Sequence, residues 1–342
     1  MNKPLVSIVL PVRNAEEYLG ECMDSIYQQT LKDWELIVIN DHSMDRSSEM
    51  INRIAQNDPR IRILQNPGNG LVFALNYGIN NSTTPLIARM DADDVMNSRR
   101  LEQQFNYLDK NLGIGLVSSR VQHFPKANGR ERNGYNHYVN WTNNILTIED
   151  HLLNRFIDSP FAHPSVMFRK SIFEQFGGYR EGDFPEDFEL WLRWMNHGVK
   201  MEKIPNILLS WRDHPRRTSR TNSRYIQTKF QQIKAEYINL WLKSEDKLRR
   251  RNIFCWGAGR VARKFARILV EAGIQLDGFV DVDPKKVGNP VSGLPVFSLD
   301  NLPTPNDCFV FSIVGSRGAR EQVSHYLKRK GFKIGLDYLA LA

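Results

Sequence analysis

The sequence predicts an α/β protein: a doubly wound, mostly parallel sheet, then an amphipathic helical connector and a second, smaller α/β domain. Three observations carry this. Short, nearly continuous apolar runs alternate with stretches of helical periodicity through the first hundred residues, which is the pattern of parallel strands covered by helices on both faces. A long amphipathic stretch follows residue 222, and a fresh strand, glycine turn and helix begin near residue 251. At 342 residues, two domains of ~150 residues each are expected. The boundaries read from these shifts are 1–221, a connector over 222–250, and 251–342.

The elements follow in order. Leu5 to Val12 is an apolar run of strand length, and Asn14 with Glu17 gives a capping-box pair ahead of Tyr18, Leu19, Cys22, Met23 and Ile26 at helical spacing. Trp34 to Ile39 reads as a second strand, Ser47 to Ala55 as a helix, Ile61 to Leu64 as a third strand, Val72 to Gly78 as a helix, and Leu86 to Met90 as a fourth strand. No pattern is readable from His123 to Thr147. Phe188, Trp191, Leu192 and Met195 share one face of a helix that opens with Glu186 and Asp187. Ser223 to Lys247 carries Tyr225, Phe230, Ile233, Tyr237, Leu240 and Trp241 at helical spacing, and forms the connector.

Composition narrows the function. No run approaches the ~20 apolar residues of a membrane span, and Met1 to Pro4 leads straight into a strand without a signal peptide, so a cytoplasmic protein is expected. Cys22, Cys255 and Cys308 are far apart, which suggests neither a disulfide framework nor a thiolate zinc site. The net charge of +8 suits a phosphorylated substrate or an anionic membrane surface. The basic clusters Arg212, Arg216, Arg217, Arg220, Arg224 and Lys243, Lys247, Arg249, Arg250, Arg251 are not interleaved with aromatics, so nucleic acid is not an expected partner.

In a parallel sheet of this kind ligands bind beyond the carboxyl ends of the strands. The segments there are Pro11-Val12-Arg13-Asn14, Asn40-Asp41-His42-Ser43-Met44-Asp45 and Asp91-Ala92-Asp93-Asp94. Two carboxylates one residue apart at a strand exit can hold Mg²⁺ or Mn²⁺ while leaving positions open for diphosphate oxygens. Asp41 and Asp45 also suit a second task, capping the helix that starts near Ser47.

These segments, in this order, resemble the family 2 nucleotide-diphospho-sugar glycosyltransferases of GT-A fold, over about residues 5–220. The resemblance implies that Pro11, Val12, Arg13 and Asn14 run along the donor nucleotide and that Asp41 accepts from the base. It also implies that Asp91 and Ala92 face the ribose, and that Asp93, with Asp91, holds the metal, Mn²⁺ or Mg²⁺. Gly177-Gly178-Tyr179 followed by Glu186-Asp187 matches the family's catalytic segment, with Asp187 as base beside Glu186. His163 corresponds to the acceptor side. Trp211-Arg212-Asp213-His214 resembles a closing segment whose Arg212 and His214 approach the diphosphate. The chain departs from the family in carrying His42 where glycine is frequent and Arg13 where an aromatic is common, which leaves the base open, with a UDP-sugar favoured. The implied activity is inverting transfer to a saccharide or lipid-linked acceptor in cell-surface polysaccharide synthesis, with peripheral contact at the inner membrane face.

In the last third, Gly257-Ala258-Gly259-Arg260-Val261-Ala262 between strand and helix is a dinucleotide-binding turn, and Asp281 stands 22 residues beyond Gly259, where an acid reaches a ribose hydroxyl. The segment resembles the small Rossmann-like domains of sugar-modifying enzymes, including nucleotide-sugar acyltransferases. It reads as half a dinucleotide fold: three strands and a last helix. Gly257, Gly259 and Asp281 are the ligand candidates there. Two other functions stay open: an NAD(P)-dependent sugar-modifying oxidoreductase working through this domain, and a non-catalytic nucleotide-sugar-binding protein.

Overall fold

The computed structural model describes residues 3–125, 133–248, 250–315 and 318–342. Arg249 of the second basic cluster, Met1 and Asn2, and residues 126–132 of the stretch without readable pattern lie outside them. The chain forms two compact units. The first comprises Met1–His151, Pro160–Gly182 and Glu186–Asn222; the second comprises Leu152–Ser159, Asp183–Pro185 and Ser223–Ala342.

The first unit runs β1 (Val6–Val12), α1 (Leu19–Tyr27), β2 (Trp34–Asn40), α2 (Ser47–Ala55), β3 (Ile61–Gln65), α3 (Leu71–Asn80), β4 (Leu86–Arg89), β5 (Val95–Met96) and α4 (Arg100–Lys110). It continues through β6 (Leu116–Pro125), α5 (Asn133–Asn143), α6 (Ile148–Asn154, whose end enters the second unit), β7 (Met167–Arg169), α7 (Lys170–Phe176), α8 (Glu186–Asn196), β8 (Met201–Asp213) and α9 (Thr218–Thr221). Its eight strands lie in the order β3-β2-β1-β4-β7-β6-β8-β5. β1 pairs in parallel with β2 and β4, so both neighbours end on the same edge as Val12. β7 is antiparallel to β4 and β6, and β5 to β8, which makes the sheet mixed beyond its parallel half. Every residue of β2 and all but Pro11 of β1 are buried, as continuous apolar strands covered on both faces require.

One helix start differs from expectation. Asn14 does not cap α1: it adopts a left-handed backbone with φ of 49°, and its Oδ1 accepts from Met44 N at 2.8 Å, while α1 begins five residues later. Asparagine tolerates that region, and its short side chain is used here to tie two loops of the strand edge together. The unread stretch holds the end of β6 and, after residue 132, helix α5.

A buried histidine in this unit gives a stability prediction. His151 is 1% exposed, its ring lies 4.4 Å from that of Phe161, and neither ring nitrogen has a hydrogen-bond partner among the described residues. Burial, reinforced by the Lys203 ammonium, pushes its pKa down to about 3. The unfolded chain takes up that proton near pH 6.5 and the folded chain does not, so the neutral ring's contribution is complete above pH 6.5 and is lost as pH falls towards 3. His151→Phe is expected to flatten the fall in denaturation midpoint between pH 7 and pH 5; an unchanged slope would assign the acid sensitivity to other groups.

The second unit holds α10 (Gln227–Ser244), β9 (Asn252–Trp256), α11 (Arg260–Glu271), β10 (Gly278–Val280), β11 (Val296–Phe297), β12 (Cys308–Ser312), α12 (Ala319–Arg329) and β13 (Tyr338–Ala340). The expected half-fold of three strands is corrected: five parallel strands stand in the order β11-β10-β9-β12-β13, and a strand, not a helix, comes last. β11 and β13 are two and three residues long, too short to register as apolar runs. No helix among the described residues is long and apolar enough to cross a membrane.

Candidate active site

β1, β2 and β4 deliver their terminal loops to one edge, and the residues expected on the donor side gather there. Asp41 is 3% exposed. Its Oδ1 accepts from Asn66 Nδ2 at 2.6 Å and Gly70 N at 3.0 Å, and its Oδ2 from Arg13 Nη1 at 3.2 Å. A carboxylate has about four acceptor positions, so one remains for a ligand donor. Gly70, at φ of 92°, can turn its N–H onto Asp41 in a conformation that side chains disfavour. Arg13 also reaches Asn69 Oδ1 at 3.0 Å, which extends it along the edge. Asp45 takes the structural role instead: it accepts from Ser47 N at 3.0 Å and Glu16 N at 3.1 Å, ahead of α2.

Beyond β4, Asp91, Asp93 and Asp94 each bring a carboxylate oxygen to within 4.8 Å of the others. The three are held differently. Asp91 pairs with the buried Arg89, and Asp93 Oδ2 lies 2.8 Å from His214 Nε2. Asp94 is 1% exposed; its Oδ1 accepts from Arg212 N at 2.8 Å, but its Oδ2 is buried with no hydrogen-bond partner among the described residues. Burial, then the neighbouring Asp93 and Asp91, push the Asp94 carboxyl well above the usual range. A hard cation takes oxygen ligands and supplies the charge such a cluster lacks, so this donor set fits Mg²⁺ or Mn²⁺.

Ala92 is buried between these acids, and Pro11, Val12 and Asn14 line the neighbouring edge. Arg212 closes the same site. Its Nε donates to Asp93 O at 2.7 Å, its Nη2 meets Glu21, and its guanidinium sits over Tyr18 and Phe124 at 4.8 and 4.5 Å. The expected pair Arg212 and His214 is thus at the carboxylate cluster, positioned by the end of β8.

The residues expected on the acceptor side come from a different set of elements. Asn76 on α3 clamps Tyr179, accepting from its N–H at 2.9 Å and donating to its carbonyl at 2.8 Å. Arg193, 3% exposed, donates to Gly177 O at 2.9 Å and Gly178 O at 2.5 Å while paired with Glu189 at 2.9 Å, so α8 holds the Gly177-Gly178 loop by its own buried ion pair. At the start of α8, Glu186 is 1% exposed and Asp187 partly exposed, with Phe188 N donating to Asp187 Oδ1 at 2.8 Å. His163 Nε2 is 2.7 Å from the Tyr179 hydroxyl, and its Nδ1 is 4.0 Å from Glu186. Burial, and then the Arg89 charge, hold His163 well below the ordinary histidine range, so the ring is neutral.

Sequence reasoning missed Arg89, Asn66 and Asn76. A lone arginine inside the apolar run before three carboxylates was a readable signal; the two asparagines, which act only through the turns they close, left none.

In the second unit Gly257 has φ of 107°, and an added Cβ would stand 3.1 Å from Ile313 O, so the turn needs glycine on both counts. Gly259 precedes α11 without a side-chain cap. Asp281, expected to face a ribose, accepts from Ala258 N at 2.7 Å and Asp283 N at 2.9 Å and pairs with Lys286 at 3.2 Å. Its carboxylate braces the glycine turn.

Residues 7–177 match the description Glycosyl transferase family 2, and residues 249–333 match CoA binding domain. The chain is 30% identical over 232 residues to the O-antigen biosynthesis glycosyltransferase WbnJ of Escherichia coli, covering 65% of this chain and 85% of that protein. It is 29% identical over 236 residues to the UDP-Gal:alpha-D-GlcNAc-diphosphoundecaprenol beta-1,3-galactosyltransferase of Escherichia coli, covering 68% and 81%. Among solved structures, S. aureus TarS 1-349 in complex with UDP-GlcNAc superposes with a TM-score of 0.53 at 13% identity, covering 78% of this chain and 79% of that one. The mannosyltransferase PcManGT from Pyrobaculum calidifontis, in complex with GDP-Man and Mn²⁺, gives 0.51 at 18%, covering 71% and 65%. The structural likenesses speak for the fold. With half of its length matched and a 30% identical relative covered almost throughout, the chain belongs to glycosyl transferase family 2 and is a glycosyltransferase.

Proposed function

We propose that this glycosyltransferase moves a hexosyl group, with inversion, from a nucleoside diphosphate sugar to a saccharide or lipid-linked saccharide acceptor in cell-surface polysaccharide synthesis. The observation that carries it is the cluster of Asp91, Asp93 and Asp94 carboxylates at the exit of β4, with Arg212 and His214 against it, on the edge where β1 and β2 also end.

The step is a single displacement. The acceptor hydroxyl oxygen bonds to the anomeric carbon, the bond from that carbon to the diphosphate breaks with its electron pair, and Asp187 takes the hydroxyl proton. Asp187 is suited to this because it is partly exposed, whereas Glu186 is buried behind it. Asp93 and Asp94, with Asp91, would hold the divalent ion. Such an ion, when bound, neutralises charge on the departing diphosphate. Asp41 accepts from the base, Pro11 to Asn14 and Ala92 border the nucleoside, and Arg212 with His214 serves the diphosphate. His163 and Tyr179 shape the acceptor side.

The similarity to WbnJ supports polysaccharide synthesis, that to the diphosphoundecaprenol galactosyltransferase supports a lipid-linked acceptor, and hence work at the inner membrane face, while TarS with UDP-GlcNAc supports a UDP-sugar. In this reading residues 1–221 are the transferase, 222–250 the connector and 251–342 an appended module. Calorimetric titration with UDP, GDP, dTDP and CDP, each with and without Mn²⁺, tests the proposal. One nucleotide is expected to bind in a metal-dependent way. Titration with NAD and coenzyme A reports on the Gly257–Gly259 turn, and binding of NAD alone, indifferent to metal, would overturn the reading of the nucleoside diphosphate site and give the second unit a ligand of its own.

A further inference from the structure

Arg89 closes β4 one strand residue short of the carboxylate turn and is 3% exposed, in a strand whose every residue is buried. A guanidinium in such a place needs a counter-charge, because a buried ion without a partner is strongly destabilising. The partner is Asp91: Arg89 Nη1 forms an ion pair with Asp91 Oδ2, while neither Nη1 nor Nε makes a well-aligned hydrogen bond among the described residues. The backbone around the pair is fixed from both sides. Arg89 N donates to Val166 O at 3.1 Å, and Arg89 O accepts from Nη2 of the fully buried Arg100 at 2.8 Å. The backbone of Arg89 is thus pinned, and the carboxylate it pairs with is the more solvent-accessible member, with a side-chain exposure of 24%.

We propose that Arg89 is a positioning residue for donor binding: by holding Asp91 Oδ2 it fixes the plane of that carboxylate and leaves Oδ1 as the oxygen presented to the nucleotide sugar. The inference rests on reading Asp91 as a donor contact. It explains why an arginine interrupts an otherwise apolar strand, and why Asp91 stays apart from the His214 and Arg212 contacts that organise Asp93 and Asp94.

The test is a double-mutant cycle on the full chain, read as affinity for the nucleoside diphosphate that the wild type binds best, with Mn²⁺ present. Arg89→Met is expected to weaken binding more than tenfold. Arg89→Lys, which keeps the charge but withdraws the guanidinium nitrogen that pairs with Asp91 Oδ2, is expected to weaken it about tenfold. Asp91→Asn is expected to weaken it comparably, and Arg89→Lys in the Asp91→Asn background to cost nothing further. If Arg89→Met does not fold, the lysine variant alone completes the cycle. Losses that multiply in the double variant, or a lysine variant with wild-type affinity, would overturn the inference while leaving Asp91 as a donor contact. Wild-type affinity in Asp91→Asn would overturn both.

Discussion

Asp187→Asn is expected to lower kcat by ~10² to 10⁴, the usual contribution of a positioned general base, with nucleotide affinity and thermal stability nearly unchanged. The fold tolerates the change because α8 is anchored elsewhere: Phe188, Leu190, Trp191, Leu192, Trp194 and Met195 are buried, and Arg193 ties the helix to the Gly177-Gly178 loop. Asparagine keeps the Oδ1 that accepts from Phe188 N. The lost charge at the helix start costs about 0.3–1 kcal/mol, far too little to mimic the rate loss by unfolding. Initial rates at saturating donor and acceptor, beside a melting curve, separate the two. A variant within tenfold of wild type would take the base away from Asp187, and Glu186, 1% exposed and 4.0 Å from His163, would be no ready substitute.

The parallel half of the sheet was legible because β1, β2 and β4 are buried on both faces and so read as plain apolar runs, while each covering helix shows its stripe; β3, at the edge of the sheet, has only Ile61 buried. The edge proposed to bind the donor was legible for the same reason: it is where those runs stop. What lay hidden was long-range. β6 pairs with β8 through a shift in register between Ser119 and Val121, and β7 is three residues long, so neither carries a period that a window can detect. Asn14 misled because an N-cap and a left-handed loop residue favour the same side chain. Asp281 sits at the spacing of a ribose ligand, yet spacing does not say which way a carboxylate turns, and the N–H groups of Ala258 and Asp283 are the donors it meets.

Asp93→Ala is expected to abolish the metal-dependent part of nucleotide binding, at least about 100-fold, since even indirect supports of a metal site are worth 10- to 100-fold. Burial acts to raise the Asp93 carboxyl, but the His214 hydrogen bond and the charges of Arg217 and His214 outweigh it, so the group lies below its ordinary value and is ionised at neutral pH, as the proposed metal ligand must be. The substitution is clean in one respect. Arg212 grips the turn through Asp93 O and Asp94 Oδ1, neither of which alanine at 93 removes, so the loop keeps its anchors and only the ligand is lost. Direct titration with Mn²⁺ alone, followed by nucleotide with and without the ion, gives a readout independent of turnover. Wild-type and variant should bind metal-free nucleotide alike, because the Asp41 contacts to Asn66, Gly70 and Arg13 are untouched. An unaltered Mn²⁺ dependence in Asp93→Ala would mean that Asp94, with its unpartnered Oδ2, and Asp91 suffice to hold the ion, and that Asp93 serves to hold His214.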